Sequence, residues 1–205
     1  MNLPLFITFE GGEGAGKTTL IKQIVHELTS RNLPLLTTRE PGGTPLGEEI
    51  RRLLLEPSTL SPYAELSLFL ASRAQHIAQV IRPALTQGKI VLCDRFNDSS
   101  IAYQGAARGL GFDEVSHICS FISQHLTPHL TLYLDLDPHI GLSRIHQRSK
   151  DRIEAEDLSF HTAIRNAFHT LAKREPHRLR LLDASQSPEK VFADAMKWVD
   201  KLLGE

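Results

Sequence analysis

The run Gly11-Gly12-Glu13-Gly14-Ala15-Gly16-Lys17-Thr18 restricts this chain more than any other stretch of it. It fits G-x-x-x-x-G-K-T, with Gly11, Gly16, Lys17 and Thr18 at the fixed positions. Glycines let successive backbone N–H groups turn inward and form a concave nest for an anion. Leu5-Phe6-Ile7-Thr8-Phe9 precedes the run as a strand pattern, and Leu20, Ile21, Ile24, Val25 and Leu28 follow it at helical spacing. The first turn of that helix, which also holds Thr19, aims its free donors and its dipole at the same phosphates. Lys17 supplies a point charge for the outer phosphates, and the Thr18 hydroxyl is a candidate Mg²⁺ ligand. The run implies a nucleoside triphosphate and Mg²⁺, but not what becomes of the phosphate.

The rest of the chain alternates short apolar runs with helical patterns. Strands are predicted at Leu35 to Thr38, Ile90 to Cys93, Leu130 to Leu136 and Leu179 to Leu182. Helices are predicted at Leu46 to Leu55, Pro62 to Thr86, Phe112 to Leu126, Ile140 to Gln147, Ser159 to Arg174, and after Pro188. Ser61 reads as an N-cap with Pro62 in the first turn and Glu65 closing a capping box, while Pro83 kinks or frames the end of its helix. Strands separated by helices imply βαβ crossovers. The expected fold is therefore α/β: one domain over residues 1–205, a five-stranded parallel sheet with helices on both faces. Between Arg148 and Asp157 the periodicity stops. That stretch is too charged for a core and reads as a mobile cover or a solvated connector.

Lys and Arg number 23 against 24 Asp and Glu, a net charge of -1, so the basic excess of a nucleic-acid binder is missing and no nucleic-acid partner is expected. No apolar run is long enough to span a bilayer, and Met1 to Phe6 lacks the basic flank of a signal peptide, which places the protein in the cytoplasm with no membrane partner. Cys93 and Cys119 read as reduced structural thiols. The ten histidines show no metal spacing and read as structural or surface residues.

Asp94 ends an apolar strand, where a carboxylate is a second candidate for the Mg²⁺ shell. Arg39, Arg73, Arg95, Arg108, Arg144, Arg148 and Arg152 lie in or near loops. Phosphoryl transfer between two anions needs such fixed cations, and arginine grips phosphate with two parallel bonds. No N-K-x-D string for guanine is present. The residues alone leave open a kinase for a small acceptor and an ATP-dependent switch that binds a protein.

Phe9-Glu10 with the phosphate loop, Thr38-Arg39-Glu40-Pro41-Gly42-Gly43-Thr44, Asp94-Arg95-Phe96 with Ala102-Tyr103-Gln104-Gly105, and Asp151-Arg152-Ile153-Glu154 together resemble the thymidylate kinase family. The resemblance implies ATP + dTMP → ADP + dTDP, a P-loop kinase fold, a homodimer and a short lid at about residues 147–158. It implies that Gly11 to Thr19 bind ATP, with Arg144 stacked on adenine and Asp183-Ala184-Ser185 beside the same base. It gives Phe69 as the ring on thymine, Arg73 as its hydrogen-bonding partner, Arg39 and Arg95 as the grip on the acceptor phosphate, and Ser100 and Gln104 as polar contacts to the base. Tyr103 would sit against the 2′ position of the sugar. Glu13 resembles an acidic residue near the acceptor's sugar or phosphate, and its carboxylate needs a hydroxyl, arginine or metal partner among so many phosphates. The catalytic arginine comes from the lid, Arg148 or Arg152, with Arg152 favoured. Phe96 stands where many relatives carry His or Tyr, which removes one polar contact near the acceptor pocket. Kinases for another deoxynucleotide or a deoxynucleoside remain the nearest alternatives.

Overall fold

The computed structural model describes residues 4–56, 59–144 and 151–204. Five strands, β1 (Leu5–Gly11), β2 (Leu35–Arg39), β3 (Ile90–Asp94), β4 (Leu130–Asp135) and β5 (Leu179–Asp183), form one parallel sheet in the order β2-β3-β1-β4-β5. The inner strands are covered on both faces, which is why they read as near-continuous apolar runs; all seven residues of β1 are buried. The edge strands β2 and β5 are only partly covered.

The helices are α1 (Lys17–Ser30), α2 (Pro45–Leu55), α3 (Pro62–His76), α4 (Arg82–Thr86), α5 (Asn97–Ser100), α6 (Phe112–Ile122), α7 (Pro138–Arg144), α8 (Leu158–Arg174) and α9 (Pro188–Leu203). The pleat sorts the residues of β1 between them. Leu5, Ile7 and Phe9 pack with Leu20, Ile24 and Leu28 of α1 and Val191, Ala195 and Val199 of α9. Phe6, Thr8 and Glu10 point to the opposite face. There Phe6 meets Ile77 and Phe96, Thr8 shares a 2.8 Å hydrogen bond with Thr131, and Glu10 accepts from the Phe96 N–H.

The chain crosses from β1 to the edge strand β2, returns through β3 beside β1, and leaves through β4 on the other side. The winding therefore reverses at β1, and a crevice opens at the carboxyl ends of β1, β3 and β4. Among the described residues no helix is long and apolar enough to cross a membrane.

Several elements differ from the sequence reading. The helix predicted from Pro62 to Thr86 is interrupted by a π-helical turn at Ile77–Ile81, where the Arg82 N–H reaches back five residues to the Ile77 carbonyl. Pro83 follows at once; it has no N–H to give, so the ladder shifts register there. Ser61 does cap α3, accepting from the Ala64 N–H, but no capping box forms with Glu65. Glu65 is the fourth helical residue, one too late, and its carboxylate turns inward at 1% exposure. The helix at Phe112 stops at Ile122, and Gln124 and His125 turn left-handed. Residues 97–107, given no element from the sequence, form α5 and a continuing π-helical turn at Ile101–Ala107. The charged stretch expected to be solvent-facing is partly core: Ile153 and Glu154 are 8% and 4% exposed. Asp151 holds that turn by accepting from the N–H groups of both, each at 2.9 Å.

Candidate active site

The phosphate loop leaves β1 at Gly11 and enters α1 at Lys17. Gly14 and Gly16 have φ of 67° and 93°, the left-handed region where a Cβ is strained, and these turns rotate successive N–H groups inward. Gly14 also passes so close to α7 that a Cβ there would lie 2.2 Å from the Gly141 carbonyl oxygen. Gly16 caps α1 without a side chain, and the first turn holds no acidic residue, so the helix's leading donors face an anion with no internal competitor. Lys17 folds back over the loop, donating from Nζ to the carbonyls of Gly11 (2.9 Å) and Gly12 (3.2 Å). Burial and then Arg95 lower its pKa, against the pull of Glu13 and Asp94.

One side of this loop forms the wall of a cavity of about 300 Å³ at the ends of β1 and β3. Asp94 and Arg95 reach it because β3 ends level with Phe9 of β1. Arg95 is a non-glycine residue at φ 70°, pinned by its N–H on the Phe9 carbonyl at 2.9 Å. Such strain persists only where the surroundings enforce it. Its guanidinium donates to Glu13 (2.9 Å) and Ser99 (3.2 Å) and lies 5.0 Å from the centre of the Tyr103 ring. Burial works against that charge, but Tyr103, Glu13 and Asp94 hold the pKa above the ordinary arginine value. Glu13 has the arginine and hydroxyl partners its position demands, Arg95 and the Tyr103 phenol at 3.2 Å. Its burial is outweighed by Arg95 and Lys17, which keep its pKa low. Glu10, one layer deeper, accepts from the Phe96 N–H and the Ser99 hydroxyl; burial, then Asp98, push its pKa up to about 8.

Thr18 and Asp94 line the same cavity, and the buried Asp94 Oδ1 has no hydrogen-bond partner. A free carboxylate oxygen beside a hydroxyl is the hard oxygen set that suits Mg²⁺, an ion that takes one or two carboxylates and fills the rest of its shell with water and phosphate oxygens.

The other predicted residues divide. Phe69, Ser100, Tyr103 and Gln104 come together on the cavity wall, carried there by α3, by the end of α5 and by the wide turn after it. Arg39 does not join them: it is 53% exposed and paired with Glu48 at 2.9 Å. Arg51, which the sequence reading passed over, lines the cavity instead, held by the Pro41 carbonyl at 3.1 Å. Burial, then Arg39, lower its pKa, so an anion beside it would be welcome. The available signal was its place on α2, one turn before Leu55, which lines the same wall.

Arg73 also stands behind the wall rather than on it, at 1% exposure. It donates to Glu40 (2.7 Å), Ser100 (3.0 Å) and the Phe96 carbonyl (3.0 Å). His76 holds the other Glu40 oxygen at 2.9 Å and Thr38 at 2.6 Å, a structural role as expected of the histidines. Phe96 is core: its ring meets Phe6 edge-on at 4.9 Å, so the missing polar contact is not at the cavity. Arg152, the favoured lid cation, has Nη1 on Glu65 at 2.6 Å and Nε on the Leu54 carbonyl at 3.1 Å, while its buried Nη2 has no hydrogen-bond partner among the described residues. Arg148 lies outside the described residues.

On its other side the phosphate loop borders a second cavity of about 290 Å³, lined by Gly14 to Gly16, Thr19, Arg144 and Ala184. Arg144 reaches it from the end of α7 and donates to the Gly14 carbonyl at 3.1 Å.

An anion nest on an uncapped helix, serving as a wall for two cavities, is the construction of a P-loop phosphotransferase. The comparisons narrow it: the chain belongs to the thymidylate kinase family, whose model matches residues 9–195. It is 47% identical over 207 residues to the thymidylate kinase of Protochlamydia amoebophila, covering 96% of this chain and 92% of that one. Against the thymidylate kinase of Pseudomonas syringae pv. tomato the identity is 50% over 204 residues, with 98% and 95% covered. The crystal structure of thymidylate kinase from Ehrlichia chaffeensis superposes with a TM-score of 0.79 at 33% identity, over 96% of this chain and 98% of that one.

Proposed function

We propose that this protein transfers the γ-phosphoryl group of ATP to dTMP, giving ADP and dTDP. The observation that carries the reading is the pair of cavities sharing the phosphate loop as a wall. The triphosphate lies along the nest with its base in the cavity of Arg144 and Ala184. The monophosphate lies in the other cavity, with Phe69 against thymine, Ser100 and Gln104 at its polar edge, and Tyr103 closing the sugar's 2′ side.

Arg95 and Arg51 orient the acceptor phosphate; Glu13 aims Arg95. A nonbridging oxygen of dTMP forms the new bond to the γ-phosphorus as the bond to the β,γ-bridging oxygen breaks, and ADP leaves with that electron pair. Lys17 and the α1 donors hold charge as it spreads over the equatorial oxygens, without reorganising. Thr18 and Asp94 would hold Mg²⁺, which when bound would further neutralise the phosphate charge. Because Arg152 is tied to Glu65, we assign the lid cation on the transferring group to Arg148 and make Arg152 the anchor of the lid's return arm. We further infer a single cytoplasmic domain that works as a homodimer. Ile118 and Phe121, one turn apart on α6, are 40% and 71% exposed, apolar surface of the kind a second copy covers.

A panel of nucleoside monophosphates and deoxynucleosides, with ADP release as readout, tests the reading. dTMP should give the highest kcat/KM. Acceptor-independent ATP hydrolysis would favour a switch, and preference for a deoxynucleoside would move the protein to another kinase class.

A further inference from the structure

Glu65 enters the scheme above only as the partner of Arg152, yet it is a heavily bonded carboxylate beside the acceptor cavity. It lies one turn before Phe69 on the inward face of α3, with its side chain 1% exposed. Oε1 accepts from Gln104 Nε2 at 2.8 Å and from Arg108 Nε at 3.3 Å. Oε2 accepts from Arg152 Nη1 at 2.6 Å and Arg108 Nη2 at 3.2 Å. Arg108 in turn pairs with Glu156 at 2.6 Å.

An ionised carboxylate accepts hydrogen bonds and donates none. A Gln amide facing it must therefore turn its NH₂ end toward it, and its carbonyl end the other way. Burial opposes the charge on Glu65, but the bonds from Gln104, Arg152 and Arg108 keep its pKa below the ordinary value. Gln104 lines the acceptor cavity. One N–H of its amide donates to Glu65; the carbonyl oxygen is the acceptor it can offer a base, and Glu65 sets which way that oxygen faces.

We propose that Glu65 is a positioning residue for base selection: by capturing the amide NH₂ of Gln104, it makes the cavity present a hydrogen-bond acceptor to the pyrimidine's edge. A 2,4-dioxopyrimidine such as thymine carries an N3–H that meets this acceptor. Cytosine carries a lone pair at N3, and two acceptors then face one another with neither satisfied. The inference rests on Gln104 touching the base.

The test is the ratio of kcat/KM for dTMP to that for dCMP, in the full chain, for wild type, Glu65→Gln, Gln104→Ala and the double variant. A neutral amide at position 65 both donates and accepts, so it releases the Gln104 amide to flip. Glu65→Gln should lower the ratio roughly tenfold or more, since a site built to satisfy one donor discriminates strongly. It should lower it no further once Gln104 is Ala. Gln104→Ala leaving the ratio intact would remove Gln104 from the base and the inference with it. If Gln104→Ala lowers the ratio and Glu65→Gln does not, the base contact stands and the role of Glu65 falls. An equal loss in both Gln104 backgrounds also overturns it. Glu65→Asp, which keeps the charge but withdraws it by one methylene, is read in the same way. Should neither Glu65 variant fold, the side-chain amide protons of Gln104 in the unaltered chain carry the test by NMR. Slow exchange supports capture by Glu65, and exchange at the rate of a free amide contradicts it.

Discussion

The two sides of the phosphate loop are built on different principles. The donor side is backbone: a glycine nest, the open end of α1, and one lysine folded over them. The partners that hold the nest itself lie within a few residues in sequence, while Arg144 reaches it from α7. The acceptor side is side chain: Arg95 is set by Glu13, Ser100 by Arg73, and Gln104 by Glu65, each pair joining separate elements. Backbone chemistry needs only the right turn. Side-chain chemistry needs a fold that brings distant residues within 3 Å and buries them together, so the acceptor side should tolerate less change at a distance and more change within the loop's own sequence.

Lys17→Met breaks the comparison hardest. It removes the lysine charge folded over the nest, and kcat should fall at least about 10²–10³-fold. Among the described residues its only hydrogen bonds are to two loop carbonyls, so melting should be nearly unchanged; a folded variant with near-normal kcat would refute the assignment.

Gly14→Ala attacks the backbone itself. The new Cβ meets the Gly141 carbonyl at a residue already at φ 67°, and the two penalties sum to about 2–5 kcal/mol in denaturant melts. Wild-type stability would mean that the loop and α7 are not packed as described.

On the acceptor side, Arg51→Ala should weaken dTMP binding by about 1.5–3 kcal/mol, the range of a charge-assisted bond, with ATP affinity unchanged. Arg39→Ala, an exposed pair, should cost below about 1 kcal/mol. Calorimetry of both variants separates them, and the reverse order would restore Arg39 to the acceptor grip.

A pH dependence probes the layer beneath the acceptor side. Glu10 has a pKa of about 8 in the fold against 4.5 ordinarily, so between those values the folded state keeps a proton that the unfolded chain has released. Its contribution to stability is full below about pH 4.5 and declines as pH rises toward 8. Urea melts at pH 5 and pH 8 should show a smaller loss for Glu10→Gln, which mimics the neutral acid, than for the wild type. Equal slopes would mean that Glu10 is charged throughout.

The same contrast explains what was legible in the sequence. The five strands and the phosphate loop are local patterns, and the runs from Leu5, Ile90 and Leu130 follow directly from strands covered on both faces. Residues 97–107 were not legible, because a four-residue helix running into a π-helical turn has neither the 3.6 nor the 2.0 period. Phe69, Ser100, Tyr103 and Gln104 were reached through the family resemblance. Arg39 and Arg51 sit on β2 and α2, and only the packed structure shows which of the two faces the cavity. Glu65 read as a cap because the spacing from Ser61 is nearly right; the burial that gives it a different role depends on Gln104, Arg108 and Arg152, 39 or more positions away.

The central claim is that two anionic nucleotides occupy separate cavities that share one loop. Titration of dTMP into protein saturated with Mg²⁺ and a non-hydrolysable ATP analogue tests it most directly. The account predicts one dTMP per chain, with an affinity not reduced by the analogue. Mutual displacement of dTMP and the analogue would show a single site and contradict it.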